Sequence, residues 1–454
     1  MTNPSPHALD HPSAASKRPR PVVVDVLALL GGLGFGLSVA MALAPVSLSQ
    51  LHSPGGYFDV SSRVAAMAGS YLLMVMVLLM SRFPPLERAL GQPRLVYLHR
   101  RLAAWPIVLI IIHVVFVTLG YAATSHHGFL SQIALFLRSY NNMFEALVGL
   151  GVLLFATFVS VPVVRRLFDY ESWWAIHLSL YGALVLSFPH QISTGVMFLS
   201  HPLSKYLWTS MWIASLVVLV YSRVVTTALL NLRLRLKVQS VTQISPTIYA
   251  ITLTGSNLSR LRVSGGQFFQ WRFAVPGLML HPHPYSLSAL PKPPYLRLTV
   301  KDSGEHSGAL ARLSPGTRVF IEGPYGALTH HHRQTDSVTL IAAGVGVTPL
   351  RAMLDDLPSK VDLTMVVRAP SSAEIPHLAE LKSHLDSRGA VFSPILGSRH
   401  NAPMTPETLL RAAPNIARGD VFLCGPPSFT EQVVSSLHAL GVPDSNIHHE
   451  MFTF

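Results

Sequence analysis

The sequence predicts a multi-domain membrane protein: a six-helix transmembrane bundle, then an antiparallel β-barrel, then an α/β domain with a parallel sheet. Three observations predict it. Of 454 residues, 50% are hydrophobic and only 12% are charged, which is too apolar for an ordinary soluble protein. Six apolar segments, each long enough to cross a bilayer, lie before residue 228. Short alternating strands follow them, and strands that alternate with helices complete the chain.

The basic residues orient the predicted spans, which are 22–48, 62–81, 98–121, 143–163, 170–190 and 205–226. Lys and Arg cluster before the first span and after the second, fourth and sixth, whereas the opposite loops hold only Arg63, Arg138 and Lys205. Short cytoplasmic loops are enriched in Lys and Arg, so we expect a multi-pass protein of the cell membrane with both termini cytoplasmic. The predicted domains are a disordered cytoplasmic tail at 1–21, the membrane domain at 22–228, the barrel at 229–330 and the α/β domain at 331–454.

Two spans carry histidines in pairs, His99 with His113 in the third and His177 with His190 in the fifth. At a helical rise of about 1.5 Å per residue, each pair spans roughly 20 Å along its helix. The third and fifth spans are predicted to run in the same direction, so the first histidines of the two pairs lie at one level and the second histidines at another. Two axial imidazoles are what the iron of a b-type haem needs. We therefore predict two haems, an inner one at His99 and His177 and an outer one at His113 and His190.

A single histidine in an apolar helix more often makes an interhelical hydrogen bond, but the other four predicted spans hold no interior histidine. The geometry of the fifth span is imperfect, because a spacing of 13 residues leaves His177 and His190 more than a quarter-turn apart. Pro189 cannot donate a backbone hydrogen bond and is expected to re-aim the helix before His190.

Composition excludes several other redox centres and partners. The chain has one cysteine, Cys424, so it can build neither an intrachain disulfide nor a cysteine-ligated iron–sulfur cluster or structural zinc site. The net charge of +12 is accounted for by membrane topology and by contact with anionic lipid. No nucleic-acid motif and no calcium-binding loop is visible, so we expect neither nucleic acid nor calcium as a partner.

The part after the sixth span begins with strand-like runs, which predict the antiparallel barrel. The runs are LRLRLKV (232–238), TIYAITLTG, GQFFQWRF, PYSLSAL, YLRLTVKD and RVFIEGPYG. Near residue 336 the pattern changes to strand, glycine turn and helix, as in SVTLIAAGVGVTPLRAMLDDL. The turn at Gly344 and Gly346 would let a dinucleotide phosphate approach backbone N–H groups, although a tight packing turn has the same pattern.

Six helices with paired histidines on the third and fifth, followed by these motifs, resemble the ferric reductase / NADPH oxidase superfamily, whose soluble part is similar to ferredoxin–NADP reductase. The resemblance implies FAD, two b-type haems and NADPH or NADH as cofactors. It implies FAD contacts at two motifs and at the aromatic C-terminus: His283, Pro284, Tyr285, Ser286, Lys301, Gly304, Ser307 and Phe454, with Phe452 as the other candidate for the aromatic residue over the flavin. Ferredoxin reductases usually have arginine where this chain has His283, so neutralisation of the FAD pyrophosphate partly falls to other residues.

The resemblance also implies two nicotinamide-nucleotide turns, formed by Gly344, Gly346, Thr348 and Pro349 and by Cys424, Gly425 and Pro426. Arg368 follows the second strand of this domain, where a guanidinium would hold the 2′-phosphate of NADPH. A solvated loop arginine is the alternative, and NADH then remains open as the donor.

The implied function is transmembrane electron transfer from cytosolic NAD(P)H through FAD and the two haems to an extracytoplasmic acceptor, without acid or base catalysis by a side chain. The acceptor is open between a ferric or cupric chelate, oxygen (which would give superoxide), a quinone and a periplasmic enzyme. His126 and His127 mildly favour metal reduction. A histidine-based transporter or sensor with a regulatory nucleotide domain is the alternative of a different class. The oligomeric state is not predicted.

Overall fold

The computed structural model describes residues 21–53, 55–302, 304–398 and 401–449, so residues 1–20 of the predicted tail lie outside it. The chain forms two compact units. We call the described residues within 20–83 and 95–220 the helical unit, and the described residues within 84–94 and 221–454 the sheet unit. The division at 220/221 precedes the predicted one at 228/229, and the predicted domain bounds stay a prediction.

The first half of the chain is helical. Its helices are α1 (Pro21–Leu43), α2 (Leu48–Leu51), α3 (Gly56–Leu79), α4 (Pro84–Leu90), α5 (Gln92–Leu102), α6 (Ala104–Ser125), α7 (Phe129–Ser139), α8 (Met143–Val159), α9 (Pro162–Arg165), α10 (Tyr170–Thr194), α11 (Val196–Leu199), α12 (Pro202–Val220) and α13 (Thr226–Leu234). A π-helical turn, Tyr221–Val225, joins α12 to α13.

Within the described residues, four helical stretches are long and apolar enough to cross a membrane: Val24–Leu43, Gly56–Leu79, Arg94–Ser125 and Pro202–Leu234. They coincide with the first, second, third and sixth predicted spans. The fourth and fifth predicted spans form α8, an apolar helix of 17 residues, and α10, a helix of 25 residues that runs through Pro189. The count of six spans and the orientation of the termini stay predictions.

The third predicted span has a one-residue interruption in its helical hydrogen bonding at Ala103, between α5 and α6, although Ala103 keeps helical dihedral angles. Pro106 lies four residues after Leu102 and has no N–H, so the Leu102 carbonyl loses its helical donor. The interruption separates His99, in α5, from His113, in α6. Helix α7, between the third and fourth predicted spans, was not predicted.

Small residues bring the histidine-bearing helices close to their neighbours. An added Cβ at Gly69 in α3 would lie 3.1 Å from the Leu109 Cβ in α6. An added Cβ at Gly149 in α8 would lie 2.9 Å from the Ala183 carbonyl oxygen in α10. The α8–α10 pair therefore packs closely enough at Gly149 that a side chain would collide with the backbone of α10, whereas at Gly69 the α3–α6 contact is to side chains of α6 and is less strict.

The sheet unit begins with a six-stranded antiparallel sheet. Its strands are β1 (Lys237–Ser245), β2 (Ile248–Thr254), β3 (Phe268–Phe273), β4 (His283–Lys292), β5 (Tyr295–Lys301) and β6 (Val319–Tyr325), in the order β1-β2-β5-β4-β3-β6. The fully buried Phe269, Trp271 and Phe273 alternate along β3 toward its core. An isolated bridge between Lys237 and Arg318 joins the two edges of the sheet. A closed barrel requires contact between its two edges, and the predicted barrel stays a prediction.

The prediction of a strand at 232–238 is wrong for its first half, because α13 continues to Leu234 and β1 begins only at Lys237. The Asn231 side chain ties the helix to β6: its Nδ2 donates to the Ile321 carbonyl and its Oδ1 accepts from the Ile321 N–H, both at 2.8 Å. Leu232 is 66% exposed, whereas Leu234 and Leu236 are buried. The alternating leucines therefore do not share one strand face.

A parallel sheet follows, as predicted, and it has five strands. Its strands are β7 (Ser337–Ala343), β8 (Asp362–Ala369), β9 (Val391–Leu396), β10 (Asp420–Cys424) and β11 (Ile447–His449), in the order β11-β10-β7-β8-β9. The helices of the sheet unit after β5 are α14 (Glu305–Leu310), α15 (Val347–Leu354), α16 (Leu378–Asp386), α17 (Pro406–Ala412) and α18 (Pro427–Ala439). One core cluster holds residues of α15 and α16 and another holds residues of α17 and α18, so both faces of this sheet are covered.

Candidate functional site

The structure brings together the predicted inner histidines. The ring centroids of His99 in α5 and His177 in α10 are 6.3 Å apart, with ring planes at 67°. For a metal–nitrogen bond of about 2 Å and about 1 Å from nitrogen to ring centre, two imidazoles on one iron have centroids about 6 Å apart. The separation of this pair therefore fits axial ligation of a haem iron.

Three further side chains surround His177. The Ser160 hydroxyl, directly after α8, lies 3.1 Å from His177 Nδ1. The Trp173 indole stacks on the imidazole with centroids 5.3 Å apart, and the Arg165 guanidinium lies 4.6 Å from the centre of the Trp173 ring. Since these contacts use the Nδ1 side and one face of the ring, Nε2 is the nitrogen that remains available to a metal.

The predicted outer histidines line one cavity of about 270 Å³ among α3, α6, α8 and α10. His113 Nδ1 lies 3.1 Å from the Ser62 carbonyl oxygen. A carbonyl only accepts hydrogen bonds, so Nδ1 carries the proton and Nε2 is available to a metal. His190 lines the same cavity after Pro189. The lining is mostly apolar, with residues such as Leu150 and Leu153. An apolar lining of this kind excludes water and suits the apolar ring of a haem.

One end of this cavity is polar, which the sequence analysis missed. Arg63 was placed in a loop but lies in the second turn of α3, where it forms an ion pair with Asp59. Gln50 Nε2 donates to the same carboxylate at 2.6 Å. Arg63 Nη1 is buried and meets no hydrogen-bond partner among the described residues. The spacing of four residues between Asp59 and Arg63 in one helix was the available sequence signal.

His126 and His127 are both exposed and lie outside this cavity. Over the ranges that the structure describes, no group of three or more His, Cys, Asp or Glu side chains is arranged to hold a bare metal ion.

The first flavin motif forms the start of β4. Trp271 Nε1 donates to the Tyr285 carbonyl at 2.8 Å, and the His283 and Tyr285 rings stack with centroids 6.3 Å apart. Burial raises the pKa of Tyr285 to about 12, so its phenol stays protonated. The Ser286 hydroxyl is buried and has no hydrogen-bond partner among the described residues. A buried hydroxyl without a partner is costly, and a ligand atom such as a flavin ring nitrogen or oxygen would satisfy it.

The second flavin motif lies at the same end of the antiparallel sheet, because β5 ends at Lys301 where its neighbour β4 begins at His283. Lys301 is exposed. The Ser307 hydroxyl donates to the Gly304 carbonyl at 2.9 Å, at the start of α14. The structure therefore brings the two motifs to one end of the sheet. Phe452 and Phe454 lie outside the described residues.

The two predicted nucleotide turns pack on each other at the carboxyl ends of β7 and β10. Gly344 has φ +55°, in the left-handed region that glycine adopts without strain. An added Cβ at Gly346 would collide with the Cys424 carbonyl oxygen and lie 3.0 Å from the Gly425 N. Thr348 and Pro349 are buried in the first turn of α15, whereas Pro426 is exposed.

Arg368 lies inside β8, next to its last residue, and not in the following loop. Its backbone pairs with Ala343, directly before the Gly344 turn, and its Nε donates to the Ala402 carbonyl at 3.3 Å. The prediction that Arg368 follows the strand is therefore wrong by position, its role at the nucleotide stays a prediction, and its side chain is anchored by a contact that the sequence did not reveal.

Charged residues that the sequence analysis did not single out join the two sheets. Directly after α15, Asp355 Oδ2 accepts from the Leu290 N–H of β4 at 2.8 Å. The guanidinium of Arg351, 1% exposed, donates to Asp355 Oδ1 at 2.7 Å and to Glu380 Oε1 in α16 at 2.6 Å. These contacts hold the helix that follows the first nucleotide turn against the flavin-motif strand.

Comparison with known proteins gives matches to both parts. Residues 65–188 match the family model described as ferric reductase like transmembrane component. The chain is 28% identical over 210 residues to the flavohemoprotein of Bordetella pertussis, which covers 41% of this chain and 52% of that protein. It is 29% identical over 204 residues to the stachydrine N-demethylase reductase subunit Stc4 of Rhizobium meliloti, with coverage of 41% and 58%. The chain thus spans about half the length of the curated relatives it matches.

Among solved structures, the chain is similar to the flavohem-like FAD/NAD-binding domain of nitric oxide dioxygenase from Vibrio cholerae. The two are 22% identical with a TM-score of 0.38, over 48% of this chain and 98% of that one.

These findings define the class of protein by its parts: a segment that matches a ferric reductase transmembrane family model and a region similar to flavohemoproteins lie in one chain, together with an antiparallel and a parallel sheet. This combination matches the fused architecture of the ferric reductase / NADPH oxidase superfamily, which the sequence resemblance predicted.

Proposed function

We propose that the protein is a transmembrane oxidoreductase that takes electrons from cytosolic NAD(P)H and delivers them to an extracytoplasmic acceptor, either a ferric iron chelate or oxygen. When bound, FAD and two b-type haems would supply the chemistry, because a flavin accepts a hydride pair and releases the single electrons that haem iron accepts. The observation that carries the proposal is the separation of His99 and His177, 6.3 Å between ring centroids, at the value expected for two ligands of one iron.

The membrane residues have positioning roles in this proposal. His99 and His177 would hold the inner haem, and His113 and His190 the outer one. The apolar lining of the outer cavity keeps water from the bound group and so raises the effect of nearby charges on it. The Asp59–Arg63 ion pair at one end of the cavity leaves that end without net charge.

In the sheet unit, the residues bind and orient two nucleotide cofactors. The Ser286 hydroxyl is free to donate to the flavin ring, with Tyr285 beside it. Lys301, Gly304 and Ser307 would contribute to the rest of the FAD site. Gly344 and Gly346 allow a pyrophosphate to approach the start of α15, and Thr348, Pro349, Cys424, Gly425 and Pro426 form the walls of the same site. Arg368 would bind the 2′-phosphate of NADPH.

The test is an anaerobic visible spectrum of the full chain in detergent, before and after NADPH. Sharp b-type haem bands that grow on NADPH addition are expected, and readmission of oxygen, with or without a ferric chelate, identifies the faster acceptor. A protein whose flavin bleaches without any haem band would contradict the proposal. So would a colourless membrane unit, which the transporter or sensor alternative predicts.

A variant pair sharpens the test of the ligands. His113→Ala removes a residue of the outer cavity, and we expect the haem content per chain to fall from two to one. His126→Ala, an exposed histidine at the end of the same helix, is the matched control and should leave haem content unchanged. Equal haem content in the two variants would exclude His113 as a ligand.

A further inference from the structure

We propose that Ser160 is a positioning residue for the inner histidine pair: its hydroxyl accepts the Nδ1 proton of His177 and thereby presents an unprotonated Nε2 for the metal. The inference rests on the proposed haem function and assigns a role to a residue outside the four histidines.

The proton count at Ser160 fixes the direction of each hydrogen bond. A hydroxyl has one hydrogen and two acceptor lone pairs. Its hydrogen goes to the Ala156 carbonyl oxygen, one helical turn earlier in α8, at 2.7 Å. Trp173 Nε1–H can only donate, and it donates to Ser160 Oγ at 3.3 Å. The remaining contact, 3.1 Å to His177 Nδ1, must therefore be a bond in which His177 donates.

This assignment selects one tautomer of His177. A neutral imidazole with its proton on Nδ1 has its lone pair on Nε2, the form that ligates a metal. If Ser160 donated instead, Nε2 would carry the proton and could not coordinate iron. The Ser160 hydrogen is closer to the Ala156 carbonyl than to His177, because the Oγ–oxygen distance is 2.7 Å and the Oγ–Nδ1 distance is 3.1 Å. Donation from Ser160 to His177 is therefore disfavoured.

Two further contacts fix the ring plane. The Trp173 indole stacks on His177 at an interplanar angle of 30°, and the Arg165 guanidinium lies over the indole. Arg165 Nη1 is itself held by the Phe168 carbonyl at 2.9 Å. Ser160 thus connects the end of α8 to two residues of α10, across the helix pair whose approach Gly149 permits.

The outer pair is held differently. His113 donates to a backbone carbonyl, that of Ser62, whereas His177 donates to a hydroxyl that already accepts from Trp173. An acceptor at Nδ1 raises the basicity of the ligand and favours ferric iron. Removal of the Ser160 oxygen should therefore favour the ferrous form, and so raise the midpoint potential, at the inner site alone.

The experiment is a redox titration of the detergent-purified full chain, followed by visible absorbance, for the wild type and for Ser160→Ala, Ser160→Thr and Ser179→Ala. Ser160→Thr retains the hydroxyl. Ser179→Ala is the matched control, because Ser179 is exposed on α10 and its hydroxyl also donates to a helix carbonyl, that of Ile176 at 2.6 Å.

In Ser160→Ala we expect one of two haem transitions to shift positively by at least a threefold change in equilibrium constant, about 28 mV at about 59 mV per tenfold change for one electron. The midpoint potential of the other haem in Ser160→Ala should equal the wild-type value. Both midpoint potentials in Ser160→Thr and in Ser179→Ala should also equal the wild-type values. Loss of one haem in Ser160→Ala, retained in Ser160→Thr, would support the same role.

Unchanged potentials in a Ser160→Ala protein that carries both haems would overturn the inference while leaving the proposed function intact. Equal shifts of both transitions, or the same shift in Ser179→Ala, would also overturn it. A wild-type protein without haem bands would overturn the proposed function itself, and this inference with it.

Discussion

The guanidinium of Arg297 in β5 forms a two-pronged ion pair with Glu380 in α16, at 2.8 and 3.0 Å. The same carboxylate accepts from Arg351, whose side chain is 2% exposed. Glu380 therefore pairs with two arginines at once, one from the antiparallel sheet and one from the helix after the first nucleotide turn, and the second of these also pairs with Asp355. While all of these side chains are present, their charges compensate one another. Loss of the Glu380 carboxylate would leave arginine charge without this partner, which lowers the folding stability.

Glu380→Gln should lower the stability of the sheet unit by about 1–2 kcal/mol, less than for a fully buried ion pair because the Glu380 side chain is 36% exposed. The measurement is the melting temperature of the full chain, with the exposed Glu431→Gln in α18 as control. Equal melting temperatures for the two variants would show that the shared carboxylate does not stabilise the fold.

The Glu380 carboxylate should also make the stability of the folded chain fall at acidic pH. Burial alone would raise the pKa of Glu380, but hydrogen bonds and charge from Arg297 and Arg351 lower it from 4.5 to about 2. Because the pKa is lower in the folded chain, this contribution is complete above about pH 4.5 and is lost as the pH falls toward about 2. Melting temperatures between about pH 6 and about pH 3 should fall less steeply in Glu380→Gln than in the wild type. Parallel curves would contradict the assignment.

Gly346→Ala should impair nucleotide binding, because the new Cβ collides with the Cys424 carbonyl and separates the two nucleotide turns. We expect at least a tenfold rise in the KM for NAD(P)H, or about 1.4 kcal/mol, with haem content unchanged. Gly151→Ala in α8, where an added Cβ meets nothing within 4 Å, is the matched control. An unchanged KM in Gly346→Ala would place the nucleotide elsewhere.

Arg368→Gln tests the choice of nicotinamide cofactor. If its guanidinium binds the 2′-phosphate, the KM for NADPH should rise about tenfold, the usual scale for loss of a charge-assisted hydrogen bond, while that for NADH stays the same. Steady-state rates with both donors give the two values. A parallel rise in both would assign Arg368 a structural role through its bond to Ala402, and the native preference would then depend on other residues.

Local patterns predicted most of the strands and the placement of both nucleotide turns. The alternation in GQFFQWRF, for example, places Phe269, Trp271 and Phe273 in the core, where the structure has them. The same period-2 reasoning failed at 232–236, because the Asn231 amide bonds to β6 and extends the helix, a contact between residues 90 positions apart. Periodicity cannot report such a partner.

The candidate site shows the same limit. Histidine spacing was enough to pair His99 with His177, since both positions follow from helix length. Ser160 could not be selected, because nothing in the sequence distinguishes it from other serines near a helix end. Arg63 was missed because it was counted as a loop charge, although its spacing from Asp59 was a usable signal. The roles of these residues depend on which helices pack together. That packing involves close contacts at glycines in α3 and α8, which become visible only in the three-dimensional structure.

Cys424, the one cysteine of the chain, is fully buried at the contact between the two nucleotide turns. A thiol reagent can reach it only when this region opens, so its labelling rate in the native protein reports the frequency of that opening. Added NADPH should slow the labelling if the nucleotide closes the turns on each other. Cys424 is therefore a native thiol probe of local unfolding, and no cysteine needs to be introduced to measure it.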